Sequence, residues 1–225
     1  MNKNCLIVGS QSSLGIEIEN IFTKEKYNVF GTSRKYVNSL NSKEIYFDFE
    51  NFDSFKNLEE KIPILDCLIF STGILKGKGL NEYEDQDIFN VFQTNIIGPI
   101  MTLVRLKEKL KKKCSVIFIG SISGSAGSYD EIYASSKSAI HGLIKSLAKK
   151  SKNSIRFNCI EPGLIENSSM SKQFSALEIE KHKKDTPINE LNTLKEIANI
   201  CFKISQDDWL KLNGQIIGVN GGRYV

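Results

Sequence analysis

Cys5-Leu6-Ile7-Val8-Gly9-Ser10-Gln11-Ser12-Ser13-Leu14-Gly15 is the stretch that decides the fold. Four apolar residues make a short strand, and a turn with two glycines and three serines leads into a segment whose apolar positions, Leu14, Ile18, Ile21 and Phe22, recur at helical spacing. Such a loop suits a pyrophosphate. Glycine lets the backbone come close, and the helix N-terminus presents free N–H groups and the positive end of its dipole to an anion. No Lys-Ser/Thr pair follows Gly15, which excludes the loop of nucleoside-triphosphate hydrolases, and the G-x-G-x-x-G spacing is absent.

Further apolar runs follow at Asn28–Thr32, Ile45–Phe47, Leu65–Phe70, Ser115–Ile119, Ile155–Ile160 and Gln215–Val219. Helical spacing recurs between them: Phe52, Phe55, Leu58 and Ile62; Ile88 to Leu110; Ala139, Leu143 and Leu147; Leu194, Ile197, Ala198 and Cys201. Strand alternating with helix means βαβ units and a parallel sheet, and strands apolar throughout mean helices on both faces. The pattern predicts one α/β domain over residues 1–225 with about seven strands. Lys107 to Lys113 is expected to close the helix from Ile88, its cations suiting the C-terminal dipole. Gly98-Pro99 is expected to be a kink or a close-packing point in that helix. The polar segment from Leu164 to Leu191 falls between a strand and the last helix, where insertions in α/β domains cover ligands, and is the candidate substrate loop.

Composition narrows the class. The 225 residues are 40% hydrophobic and 25% charged with only 16 glycines and four prolines, which excludes collagen-like and disordered chains. A net charge of +4 is too mild to argue for nucleic acid or a membrane. Five widely spaced cysteines with no C-x-x-C pair read as reduced core residues of a cytoplasmic protein. Met-Asn-Lys-Asn runs straight into the first strand, which predicts no signal peptide, and Ile96 to Val104 is too short to cross a bilayer core of about 30 Å.

Two further stretches carry chemistry. The second strand ends Gly31-Thr32-Ser33-Arg34-Lys35, two cations and no acid, where dinucleotide-binding folds place an acid for a ribose 2′-hydroxyl or an Arg for a 2′-phosphate. This favours NADP over NAD. Tyr133 and Lys137 are spaced i and i+4 on a predicted helix, so the ammonium lies near the phenol and is expected to favour phenolate. Upstream, Gly120-Ser121-Ile122-Ser123-Gly124 lacks the G-x-S-x-G elbow, and His141 and His182 lack evident partners. A Ser-His-Asp hydrolase and a zinc site are therefore poorly supported. His141 reads as a packing or surface residue, and Phe202 and Trp209 as packing residues of the C-terminal lobe, Trp209 with an oligomer contact as its alternative.

Taken together, these motifs resemble the short-chain dehydrogenase/reductase family, in its single-domain branch with a Rossmann-type doubly wound sheet. Gly9 to Gly15 resembles the glycine-rich loop, with Ser13 in place of its middle glycine. Ser71-Thr72-Gly73 resembles the Asn-Ala-Gly segment, with Ser71 in place of Asn, and Thr94-Asn95-Ile96 carries the helix asparagine. Ser121 and the Tyr133/Lys137 pair match the catalytic serine, tyrosine and lysine, with Ser123 as the alternative serine. Asn158 to Gly163 and Asn213 to Gly222 match the later signatures.

The resemblance implies hydride transfer between a nicotinamide and a carbonyl or secondary alcohol of a small molecule. Tyr133 would act as general acid/base, Ser121 would bond the substrate oxygen, Lys137 would hold the nicotinamide ribose and lower the Tyr pKa, and Asn95 would support a water relay. Gly9, Ser12, Ser13, Leu14, Gly15, Ser33, Arg34, Asp48, Ser71, Gly73, Tyr133, Lys137, Pro162, Gly163 and Ile165 would bind NADP. Asn167, with Ser168 as neighbour, would meet the carboxamide. No metal is implied. The two long helices, Ile88 to Leu110 and Tyr133 to Lys150, would pair subunits into a homodimer or homotetramer. The alternative is a non-catalytic NAD(P)-binding sensor or scaffold.

Overall fold

The computed structural model describes residues 2–35, 43–151 and 155–224. Seven strands form one parallel sheet in the order β3-β2-β1-β4-β5-β6-β7. They are β1 (Asn4–Val8), β2 (Asn28–Ser33), β3 (Lys43–Tyr46), β4 (Leu65–Phe70), β5 (Leu110–Ile119), β6 (Arg156–Pro162) and β7 (Ile216–Val219). The helices are α1 (Ser13–Lys24), α2 (Phe52–Lys61), α3 (Asp85–Phe92), α4 (Gly98–Leu106), α5 (Ser123–Ala126), α6 (Glu131–Lys150), α7 (Ala176–Lys184) and α8 (Leu194–Ser205). The doubly wound Rossmann-type α/β architecture expected from the alternation is the one observed.

Alternate strand residues feed two cores, one on each face, as parallel strands covered on both sides require. Leu6, Val8, Leu68, Phe70, Val116 and Phe118 meet Phe55 and Leu58 of α2, Leu103 and Leu106 of α4, and Ile140 and Ile144 of α6. Cys5, Ile7, Cys67, Ile69 and Ile117 meet Leu14, Ile18 and Phe22 of α1 and Ile197, Ala198 and Cys201 of α8. All five cysteines are free and buried. Phe202 packs edge-on against Phe22 and Tyr27, at 5.4 and 6.2 Å between ring centroids, while Trp209 stays exposed.

Three expectations need correction. The helix from Ile88 to Leu110 starts earlier, at Asp85, and is interrupted by a π-helical turn over Gln93–Ile97. Gly98-Pro99 then opens α4, with Gly98 packed against the Phe49 ring. Second, Lys107–Lys109 is only a 3₁₀ turn and Leu110 already begins β5, so Lys111 to Lys113 lie exposed on a strand extension. Lysine is compatible with either state, and the partner strand decides: Leu110 pairs with Leu65. Third, Ala139 faces solvent and the buried stripe of α6 runs through Ile140 and Ile144, with Leu143 and Leu147 at its margin.

Candidate active site

The sheet order reverses between β1 and β4, and a cleft opens there at the strands' carboxyl ends. Gly9 leaves β1 with φ +87°, and a Cβ on Gly15 would lie 2.3 Å from the Gly9 carbonyl oxygen, so the turn closes only with glycine at both ends. Ser12 is the N-cap of α1, its hydroxyl accepting from the Gly15 N–H at 2.9 Å. The turn is braced from behind. The Gly9 N–H donates to Thr32 Oγ1 at 3.1 Å, and Glu44 of β3 accepts from Ser10 Oγ at 2.7 Å and from Gln11 Nε2 at 3.0 Å.

Two cavities meet over this turn, both lined by Ser12 and by Ser71 to Gly73. The outer one, about 320 Å³, is bounded by Gly9, Ser33, Arg34 and Asp48. The inner one, about 390 Å³, is bounded by Ser13, Leu14, Ser121, Tyr133, Lys137, Pro162, Gly163 and Ile165. Of the expected cofactor residues only Gly15 lines neither cavity; it holds the turn instead. The buried Thr72 Oγ1 has no hydrogen-bond partner among the described residues. A two-part trough over a helix N-terminus, with an unsatisfied hydroxyl at its waist, fits a dinucleotide.

The segment from Leu164 to Leu191 supplies Leu164, Ser168, Ser169, Met170, Phe174 and Leu191 to the inner cavity, and it is tied down by the Ile165–Asn192 bridge. Ser168 lines the cavity, whereas Asn167 is exposed in a left-handed turn at φ +57°. Leu75, Tyr129 and Arg223 complete the walls.

Asp130 places the Tyr133/Lys137 pair. Fully buried as the N-cap of α6, it accepts from the Tyr133 N–H at 2.8 Å and the Tyr83 hydroxyl at 2.7 Å through one oxygen, and from the Gly77 N–H at 3.0 Å through the other. Aspartate three residues before Tyr133 is a cap signal that the sequence carries and that the motif reading passed over. Asn95, in the π-helical turn, accepts from the Ile74 N–H at 2.8 Å and donates to the Ile74 carbonyl and to Ser136 Oγ at 3.1 and 2.9 Å. It lines neither cavity and links the loop after β4 to α6.

The Tyr133 hydroxyl lies 3.6 Å from Met170 Sδ, and the Ser121 hydroxyl in the same cavity favours its ionised form. Lys137 Nζ sits 5.9 Å from the Tyr133 ring centroid and donates to the Ile119 carbonyl at 2.9 Å. Ser121 Oγ accepts from the Ser123 N–H at 3.2 Å, and both serines line the inner cavity with Tyr133. Electrostatics reverse the expectation of a phenol driven towards phenolate by its lysine. Burial pushes Tyr133 up to about 12, against the Ser121 hydrogen bond. It also pulls Lys137 down to about 8, against Cys159 and Glu161. Desolvation disfavours whichever form is charged, and it is the first cause of both shifts.

His141 is not a bland packing residue: its Nε2 lies 2.5 Å from Oε1 of the buried Glu161. His182 contacts Arg223, which pairs with Asp185 at 3.1 Å. Among the described residues no cluster of His, Cys, Asp or Glu is fit to hold a metal ion, and no helix is long and apolar enough to cross a membrane.

Residues 47–223 match the family described as Enoyl-(Acyl carrier protein) reductase. A 3-oxoacyl-(acyl-carrier-protein) reductase from Buchnera aphidicola subsp. Schizaphis graminum is 29% identical, over 99% of this chain and 98% of its own. Carbonyl reductase family member 4 of Xenopus laevis is 27% identical, with the same coverage. A solved structure, a short chain dehydrogenase family protein from Francisella tularensis, superposes with a TM-score of 0.90 at 23% identity over 99% of both chains.

Proposed function

This chain belongs to the short-chain dehydrogenase/reductase family and is an NAD(P)-dependent oxidoreductase, and from that premise we propose that it prefers NADP and reduces the carbonyl of a small molecule, or oxidises the matching secondary alcohol, with Tyr133 as the general acid/base. The observation that carries the proposal is convergence. Ser121, Tyr133 and Lys137 line the same cavity as the first turn of α1 and the Pro162-Gly163 end of β6.

The bound nicotinamide dinucleotide supplies or accepts the hydride. The α1 N-terminus with Ser12, Thr72 and Gly73 would hold its pyrophosphate and nearby ribose, and Pro162, Gly163 and Ile165 its nicotinamide end. Ser33 and Arg34 would meet a 2′-phosphate, and Asp48 the adenine side. A phenol held near 12 is protonated at neutral pH and can donate to a carbonyl oxygen as negative charge develops there, with Ser121 orienting that oxygen. Lys137, a cation below about pH 8, would hold the ribose. Leu75, Tyr129, Met170, Phe174 and Leu191 line the cavity and would shield the reacting atoms from water once a substrate is seated.

Other features support the remaining parts of the reading. Exposed Phe89, Ile97 and Val104 along α3 and α4 offer apolar surface for a homodimer or homotetramer. Free, buried cysteines fit a reducing compartment such as the cytoplasm.

The test has two arms. NADPH should raise the melting temperature more than NADH, and Arg34→Ala should erase the difference; equal shifts would refute the NADP preference. In a carbonyl panel of an aldehyde, a 3-oxo ester, a quinone and a hydroxyketone, Tyr133→Phe should all but abolish NADPH oxidation, by about 10²- to 10⁴-fold for a lost proton donor, while NADPH affinity changes little. An active Phe variant would remove Tyr133 from its role, and an inert wild type would favour a non-catalytic sensor.

A further inference from the structure

We infer that Glu161 is a positioning residue of this site, its buried carboxylate fixing the Ser121 loop to β6 and α6 through Ser125 and His141. The inference rests on the catalytic reading of Ser121, Tyr133 and Lys137 given above. Glu161 is 2% exposed. Its Oε2 accepts from Ser125 Oγ at 2.6 Å, and its Oε1 lies 2.5 Å from His141 Nε2. Ser125 belongs to α5, four residues beyond Ser121. His141 stands one turn beyond Lys137 on α6. One side chain on β6 thus joins the loop bearing the serine to the helix bearing the tyrosine and lysine.

The loop is built around this carboxylate. A Cβ on Gly124 would come within 3.0 Å of Glu161 Oε1 and 3.1 Å of His141 Nε2, and one on Gly120 within 3.2 Å of Glu161 Cγ. At Gly120 and Gly124 the loop therefore passes over Glu161 with its backbone alone. Ser138 of α6 adds a hydrogen bond to the Gly124 carbonyl. Burying a carboxylate costs several kcal/mol unless donors meet it, so an apolar residue would serve packing better. What the acid adds is two directed hydrogen bonds to two different elements. The cluster is not a hydrolytic triad, because Ser125 donates to the acid and not to the imidazole that a nucleophilic serine requires.

Charge gives a signature that packing alone would not. The titratable groups facing Lys137 are Tyr133 on its own helix and Cys159 and Glu161 on β6. Those facing Glu161 are His141 and Lys137 from α6 and Cys159 from its own strand. Glu161 helps Lys137 keep its proton.

The experiment compares wild type, Glu161→Gln, Ser121→Ala, Ser125→Ala and the two double variants with Ser121→Ala, using NADPH and the member of the carbonyl panel that wild type reduces fastest. Glu161→Gln should lower kcat about ten-fold while KM and NADPH affinity change less than about two-fold, the signature of a misplaced transition-state contact. Its alkaline limb should move to lower pH. In the Ser121→Ala background the same change should cost almost nothing, because the two residues act through one contact. Wild-type kcat with an unmoved limb, or losses that multiply in the double variant, would overturn the inference. Should Glu161→Gln fail to fold, Ser125→Ala carries the same non-additivity criterion. An inert wild type would topple the catalytic reading and this inference with it; an active wild type matched by Glu161→Gln would topple the inference alone.

Discussion

Lys137 carries its ammonium into the interior at 2% exposure, with the Ile119 carbonyl as its hydrogen-bond acceptor. Its pKa falls from 10.5 to about 8, with burial the first cause. Because the unfolded chain holds this proton up to about pH 10.5 and the folded chain releases it from about pH 8, folding is penalised by roughly 3 kcal/mol at pH 7. Stability is recovered as pH rises from about 8 to about 10.5. Lys137→Met should therefore be inactive yet more stable than wild type by about 1–3 kcal/mol at pH 7, and this advantage should shrink across that window in urea melts recorded from pH 7 to 10. A less stable methionine variant at pH 7 would contradict the burial argument. Reduction should also slow as pH rises through about 8, where Lys137 loses its charge, while alcohol oxidation, which needs the phenolate that burial opposes, should gain from alkali.

Helix ends and strand ends hold the elements that present these residues. Asp130 caps α6 one turn before Tyr133. At the far side of the sheet, Arg156 of β6, 1% exposed, closes the other end of α8. Its guanidinium donates to the carbonyls of Ile204 at 2.7 Å, Ser205 at 3.0 Å, Trp209 at 3.1 Å and Gln206 at 3.3 Å. A cation at a helix C-terminus meets both the orphan carbonyls and the negative end of the dipole. Methionine at position 156 would leave several buried acceptors without donors, so Arg156→Met should cost about 3 kcal/mol or more, near 10 °C in melting temperature for a chain of this size, by calorimetry. A loss below about 0.5 kcal/mol would show that water replaces the guanidinium. Nothing in the motifs marked Arg156, because its partners lie 48 to 53 residues away in sequence.

At the scale of the whole molecule, one reversal of strand order gathers the chemistry. The β1–β4 neighbourhood opens a cleft into which residues from six segments project. A ligand that binds only this assembled cleft stabilises the entire fold: at a hundred times its dissociation constant NADPH should add about 2.7 kcal/mol, rising with the logarithm of concentration. A flat dependence on concentration would count against a preformed site. The sequence by itself determined the parallel α/β class, the glycine turn, the Tyr133/Lys137 spacing and the order of the motifs, because strand and helix periodicities and tight turns are local properties. It did not determine where the helix from Asp85 ends, since lysines are at home in either state and pairing with Leu65 made a strand of Leu110. It misjudged the phenol's acidity, since spacing reveals a neighbouring charge but not how deeply both groups are buried. Only the tertiary structure joined Asp130, Arg156 and the Glu161–His141–Ser125 cluster to their partners, because desolvation and long-range hydrogen bonds come into being only when segments far apart in the chain are packed together.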